Sequence, residues 1–195
     1  IRPDGFIRAI NAFGFESVES PRASACHLRR SYTLAMDAQA RTLSLLESMC
    51  ATMPALKAVG VECVALSPDE VLLVAPLERN QNDKATAFAG SLNGLGLLAG
   101  WMLTQRLAFE FDATAQCAVY DAHTRFRQPV RSTLRARCRS DPAARAEVLG
   151  SLEATGRARW TLDIDVGGRD LDDAVRLRAS YAIWVDADAD RRQAN

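Results

Sequence analysis

The sequence predicts an α+β fold in which one antiparallel sheet lays its apolar face over a single long helix. Three observations lead there. Thr86–Leu107 is an apolar segment holding four glycines (Gly90, Gly94, Gly96, Gly100) and no acidic residue. The second half of the chain alternates, apolar residues on one face and charged ones on the other. The elements follow in the order helix, two strands, long helix, four strands, which suits a helix layer on a half-solvated sheet.

Residues 1–35 sustain neither helical nor strand periodicity. Phe6, Phe13 and Phe15 sit among Gly, Pro, Ser and Arg, and the stretch reads as an N-terminal arm. From Asp37, the series Ala40, Leu43, Leu46, Met49 and Cys50 recurs at three- and four-residue steps. That spacing predicts an amphipathic helix ending before Pro54. Ala58–Leu66 and Glu70–Ala75, either side of Ser67-Pro68-Asp69, read as a hairpin. Thr86–Leu107 reads as a helix of about 22 residues, roughly 33 Å long at 1.5 Å per residue. Its glycines each cost about 0.5–1 kcal/mol against alanine, so something must approach closely, and a curled sheet would.

Four strands follow. Ala115–Gln128 ends at Pro129. In Arg131–Arg139, arginines 131, 135, 137 and 139 oppose Leu134, Ala136 and Cys138. In Arg157–Val166, Ala158, Trp160, Leu162, Ile164 and Val166 share one face; in Asp173–Val185, Val175, Leu177, Ala179, Tyr181, Ile183 and Val185 do. Asp141–Leu152 is a short helix or loop, with Pro142 acceptable in its first turn. The domain is expected over 36–187, with 188–195 a polar tail.

Composition narrows the function. Lys+Arg and Asp+Glu are 24 each, which gives no reason to expect nucleic acid or an anionic membrane as partner. Leu95–Leu103 falls short of the ~20 residues a membrane span needs. Ile1–Ser31 lacks the apolar run of a signal peptide, so a cytoplasmic protein is expected. The five cysteines include no C-x-x-C pair, which predicts reduced thiols and no zinc site. Asp186–Arg192 lacks the central glycine and closing glutamate of an EF-hand loop. No metal or cofactor is expected.

The residues that identify a family are P-L-E-R-N-Q-N-D-K-A-T-A-F-A-G-S-L, followed by L-A-G-W, within Pro76–Trp101. They resemble the signature of the YiiD C-terminal-type thioesterase domains, whose loop reads approximately N-x-N-D-K-x-T-A-F-x-G-S-L. Arg125-Phe126-Arg127-Gln128-Pro129-Val130 resembles that family's strand ending in R-Y-x-x-P-V, and Gly156-Arg157-Ala158-Arg159 its next strand. The resemblance spans roughly Leu46 to Val185. It implies a hotdog fold, a homodimer or larger homo-oligomer, and hydrolysis of an acyl-CoA or acyl-carrier thioester at a subunit interface.

Thioester hydrolysis needs a positioned water, a base and donors for the developing oxyanion. Asp83 is the only carboxylate between Glu78 and Glu110, which makes it the candidate base or water-orienter. An N-cap carboxylate is the alternative reading. Asn80 and Asn82 could polarise the carbonyl or hold the water, or simply build a turn. Thr86, Phe88, Ala89, Gly90 and Ser91 stand where the helix begins, and free N–H groups there suit an oxyanion or a phosphate. Thr86 also reads as a cap and Phe88 as core. Hotdog thioesterases related to phenylacetate metabolism resemble H-G-G followed by an acid further along the helix. Here Phe88-Ala89-Gly90 replaces the triplet and Leu97 stands near the acid's place. That departure motivates a rival reading, an acyl-ligand-binding or interaction module without turnover. A hotdog dehydratase is poorly supported, since no His or acid is placed for it. His123 reads as a surface histidine. The arginine rows at 125/127, 131/135/137, 157/159 and 176/178 form either a solvated face or one that meets the phosphates of CoA.

Overall fold

Side-chain alternation settles where the strands run. Along β5 (Arg157–Gly167) buried and exposed residues alternate almost without break, and β6 (Val175–Val185) repeats the pattern. Such a strand can bury one face only. The computed structural model describes residues 21–171 and 174–185, with only the backbone of 21–33. Residues 1–20 of the expected arm and the polar tail lie outside the described residues. The chain divides into two compact units, Ile1–Thr33 and Leu34–Asn195; every strand described here lies in the second.

Helix α1 runs Pro21–Thr52 and so begins well before Asp37. The stretch 22–35 has good helix formers but no apolar period, which is why periodicity missed it. After α2 (Pro54–Val59) come β1 (Glu62–Leu66) and β2 (Glu70–Ala75). The strand expected from Ala58 thus begins only at Glu62. Pro54 opens the short helix, and Gly60 closes it in the left-handed region at φ +70°, its N–H donating to Leu56 O. A 3₁₀ turn at Leu77–Arg79 leads to the loop before α3 (Ala89–Phe111). Then follow β3 (Ala115–Phe126), β4 (Leu134–Arg139) and α4 (Pro142–Thr155), which Asp141 caps by accepting from the Ala144 N–H.

The six strands form one antiparallel sheet in the order β1-β2-β4-β5-β6-β3. Its apolar face, including Leu73, Leu134, Trp160, Leu162, Leu177 and Tyr181, buries α3 residues such as Leu95, Met102 and Leu103. This is the hotdog architecture that the sequence predicts. Each fully buried Leu contributes roughly 1.5–3 kcal/mol by leaving water.

Two of the four α3 glycines answer to the sheet. A Cβ at Gly96 would meet the Val166 side chain at 2.9 Å, and one at Gly100 would lie 2.3 Å from the Tyr181 hydroxyl. That hydroxyl donates to Leu97 O at 2.9 Å. Gly100→Ala is expected to overpack the site and break this bond, lowering stability by about 1–3 kcal/mol in a urea titration. The other two glycines differ. Gly90 lies beneath the Phe88 ring, and nothing stands within 4 Å of a Cβ at Gly94. Helix α3 is therefore not buried all round. Gly90 and Gly94 are exposed, and Asn93, Leu97 and Trp101 are half-buried along the same side.

Polar residues of α3 fasten the edge strand. Gln105 donates to Ala115 O at 2.9 Å and accepts from the Cys117 N–H at 3.2 Å; the Trp101 indole donates to Cys117 O. Further up the strand, the Thr124 hydroxyl donates to Asn93 Oδ1. The four cysteines among the described residues are free thiols. Burial pushes the Cys117 and Cys138 thiols far above the ordinary thiol range.

Candidate active site

The loop between β2 and α3 folds around Asn82. Its Oδ1 accepts the N–H groups of Lys84 (2.9 Å) and Thr86 (3.1 Å), and its amide donates to Thr86 Oγ1 (2.9 Å). Its own N–H reaches Thr86 O at 2.8 Å. An Asn side chain that copies backbone groups in this way closes a tight turn. The turn carries Ala85 at φ +55°, an uncommon conformation for a non-glycine residue.

Asn80 lies behind this turn. It is 3% exposed, and its amide donates to Val59 O and Pro76 O. Its carbonyl oxygen is buried without a partner among the described residues. The Asn80 backbone carbonyl accepts from Phe88 N–H at 2.7 Å, and Val130 O accepts from Ala87 N–H at 2.8 Å. The last two residues before α3 are thereby tied to the start of their own loop and to the segment between β3 and β4.

Helix α3 starts at Ala89, three residues later than periodicity predicts. Phe88 holds the N-cap position in an extended conformation and supplies no side-chain cap. Thr86 therefore precedes the helix and is engaged with Asn82. Asp83 is not its N-cap. The N–H groups of Ala89, Gly90 and Ser91 are taken up by no hydrogen bond among the described residues. Ala89 and Gly90 are exposed, and Ser91 is half-buried. Three such donors at the positive end of a long helix are of the kind that suits an anion.

Beside them lies a cavity of about 310 Å³, walled by Asn82, Thr86, Ala87, Ala89 and Leu92 on one side and by Phe126–Val130 on the other. Of the residues singled out in the sequence, Asn82, Thr86 and Ala89 line it; Asn80, Asp83, Phe88, Gly90 and Ser91 do not. The Asp83 side chain is 78% exposed and pairs with Lys84 Nζ at 3.2 Å. Phe88 is 54% exposed and is not core. Sequence reasoning did not assign Arg127, Gln128 and Pro129 to this wall. The signal was the R-F-R-Q-P-V segment, whose meeting with the loop depends on a long-range pairing. His123, as expected, is exposed.

An antiparallel sheet curled on one buried helix, with a polar loop and free N–H groups at the helix start, defines a hotdog-fold protein of the thioesterase type. The chain belongs to the family described as "Putative thioesterase (yiiD_Cterm)", whose model matches residues 42–184. Solved structures agree in fold. A Chlorobaculum tepidum protein of unknown function is 26% identical, with a TM-score of 0.68, covering 74% of this chain and 94% of that one. A Pseudomonas aeruginosa protein described as "Probable Thioesterase" is 23% identical at TM-score 0.62, covering 73% and 95%. A Shewanella oneidensis "putative thioesterase" is 21% identical at TM-score 0.63, covering 77% and 99%. No curated protein matches the sequence. Among the described residues, no helix is long and apolar enough to cross a membrane, and no group of three His, Cys, Asp or Glu could hold a metal ion.

Proposed function

We propose that this protein hydrolyses an acyl thioester, carried by CoA or by an acyl carrier protein, at the start of α3. The observation that carries this reading is the set of unengaged N–H groups at Ala89, Gly90 and Ser91 beside the cavity. An oxyanion forming on the thioester carbonyl would meet donors that are already oriented, and such donors need no reorganisation during reaction. Asn82 and Thr86 shape the near wall. Asn80, buried behind the turn, is proposed to position the loop and does not reach substrate. Asp83, the sole carboxylate of the loop, is proposed to orient or deprotonate the attacking water.

The site as described is open to solvent, and a second copy of the chain is proposed to close it. Phe88, Val119 and Phe126 are 54%, 42% and 52% exposed, large apolar groups that an isolated protein gains nothing by presenting to water. Covering them would also dry the oxyanion site and strengthen its electrostatics.

Thiol release from a panel of acyl-CoA and acyl-N-acetylcysteamine thioesters tests the reading. Turnover that saturates with at least one chain length is expected; release no faster than buffer across the panel would sink it. A binding module without turnover is the second reading, favoured by the absence of any carboxylate inside α3 and by the solvent-facing Asp83.

A further inference from the structure

On the sheet face turned away from α3, three strands carry charges in register. Asp165 of β5 faces Arg176 of β6, and Arg176 faces Arg125 of β3; one pair along, Asp163 faces Arg178, and Arg178 faces His123. The carboxylates of β5 thus address the arginines of β6, with Asp163 and Arg178 3.6 Å apart. Nothing equivalent addresses β3, because β3 is the edge strand. The residue facing Arg125 is Arg176, of its own sign, and Arg125 makes no ion pair among the described residues. Asp121, the one acid of β3, stands opposite Ser180, beyond His123. Like charges held directly opposite across an antiparallel pair are unfavourable. The fold thus sets Arg125 against Arg176 while giving Arg125 itself no acidic partner among the described residues.

These side chains enclose a groove of about 390 Å³. It adjoins the candidate active site. Arg125 is two residues from Arg127, which lines the cavity at the start of α3, or about 7 Å along the strand at ~3.4 Å per residue. Guanidinium groups present paired N–H donors that match phosphate oxygens, and an unpaired arginine at an edge can meet a ligand without first breaking a bridge.

We infer that this groove binds the phosphate ester at the far end of the pantetheine arm that bears the acyl thioester. The inference rests on the thioester reading above. The arm's sulfur end enters the cavity, the arm passes over the end of β3, and its phosphate meets Arg125 with Arg178 and Arg176 behind it. CoA and acyl carrier proteins both have this phosphate, so the groove recognises what the two carriers share.

Calorimetric titration of the protein with CoA, with a holo acyl carrier protein and with pantetheine reads binding without requiring turnover. Arg125→Glu is expected to weaken the phosphate-bearing ligands about 10-fold or more, since it reverses the charge of a groove arginine that makes no ion pair among the described residues. Arg125→Lys keeps the charge and is expected to remain within about 3-fold of wild type, which separates recognition from damage to the strand. Pantetheine, lacking the phosphate, is expected to bind both variants as it binds wild type. Loss for CoA and carrier protein together supports the shared phosphate; loss for one alone supports the groove and names its carrier. Unchanged affinity of Arg125→Glu for both, or no binding of either by wild type, overturns it. Thioester turnover that ignores Arg125 would leave hydrolysis standing without the groove, and binding without turnover would do the reverse.

Discussion

Asp83→Ala is expected to lower kcat for thioester hydrolysis by about 10²–10⁴-fold, the usual contribution of a positioned base. The apparent KM is expected to stay near wild type, because the carbonyl would still be held by the N–H groups of Ala89–Ser91 and the cavity lining would be unchanged. Asp83→Asn should behave alike, since an amide can hold a water but takes no proton from it. The exposure of Asp83 makes the comparison clean. Its side chain is 78% exposed and its partner is the neighbouring, equally exposed Lys84. An ion pair so open to water contributes little to folding, so unfolding cannot account for a lost rate. Rates within threefold of wild type for both variants would remove Asp83 from the mechanism.

Glu110→Ala is expected to destabilise the fold by about 3–5 kcal/mol, read as a shift in the urea midpoint at unchanged slope. The Arg106 side chain, in the last third of α3, is 1% exposed. Its Nη1 donates to Glu110 Oε2 at 3.0 Å, and its Nη2 donates to Ala35 O at 3.3 Å. Arg145 of α4 reaches both Glu110 oxygens at 2.7 Å. Burial is the main influence lowering the Arg106 pKa, and the Glu110 charge is the chief influence opposing it. Removing Glu110 leaves a guanidinium inside the protein with no counter-charge in contact. Arg145→Ala is expected to cost less, because Arg106 keeps its partner. A loss below about 1 kcal/mol for Glu110→Ala would mean that Arg106 finds water or another acceptor.

The strands β4, β5 and β6 were legible because each has a single buried face, whereas β3 is buried only at Ala115 and Cys117. Val175, Leu177, Ala179, Tyr181 and Ile183 alternate with exposed or half-buried neighbours, and such a row can sit only one way on a core. The long helix was legible from its lack of charge, but its open side was not. Gly90, Gly94, Leu97 and Trp101 look as apolar in sequence as the buried positions do, and only the packing shows that the two glycines are exposed and Leu97 and Trp101 half-covered. Short elements were lost. The six residues of α2 are too few to show a period, and the left-handed Gly60 that ends it resembles any loop glycine. At the site, the loop and helix start were legible as a motif, whereas the roles within it were not. Asn80 and Asn82 are two residues apart and alike in sequence, yet one is buried behind the turn and the other lines the cavity. The burial of Arg106 was not legible either, because its partner Glu110 lies one helical turn on, past the end of the expected helix at Leu107.

The central claim is that the N–H groups at the start of α3 hold the thioester carbonyl. Amide chemical shifts, followed while a non-hydrolysable acyl thioether analogue bearing a ketone in place of the thioester carbonyl is added, test it most directly. Saturable shifts concentrated at Ala89, Gly90 and Ser91, with smaller ones at Asn82 and Gln128, are predicted. A response confined to the apolar groove of about 1150 Å³ between α4 and the β5 and β6 strands, lined by Ser151, Arg157 and Trp184, with Ala89–Ser91 unmoved, would contradict it.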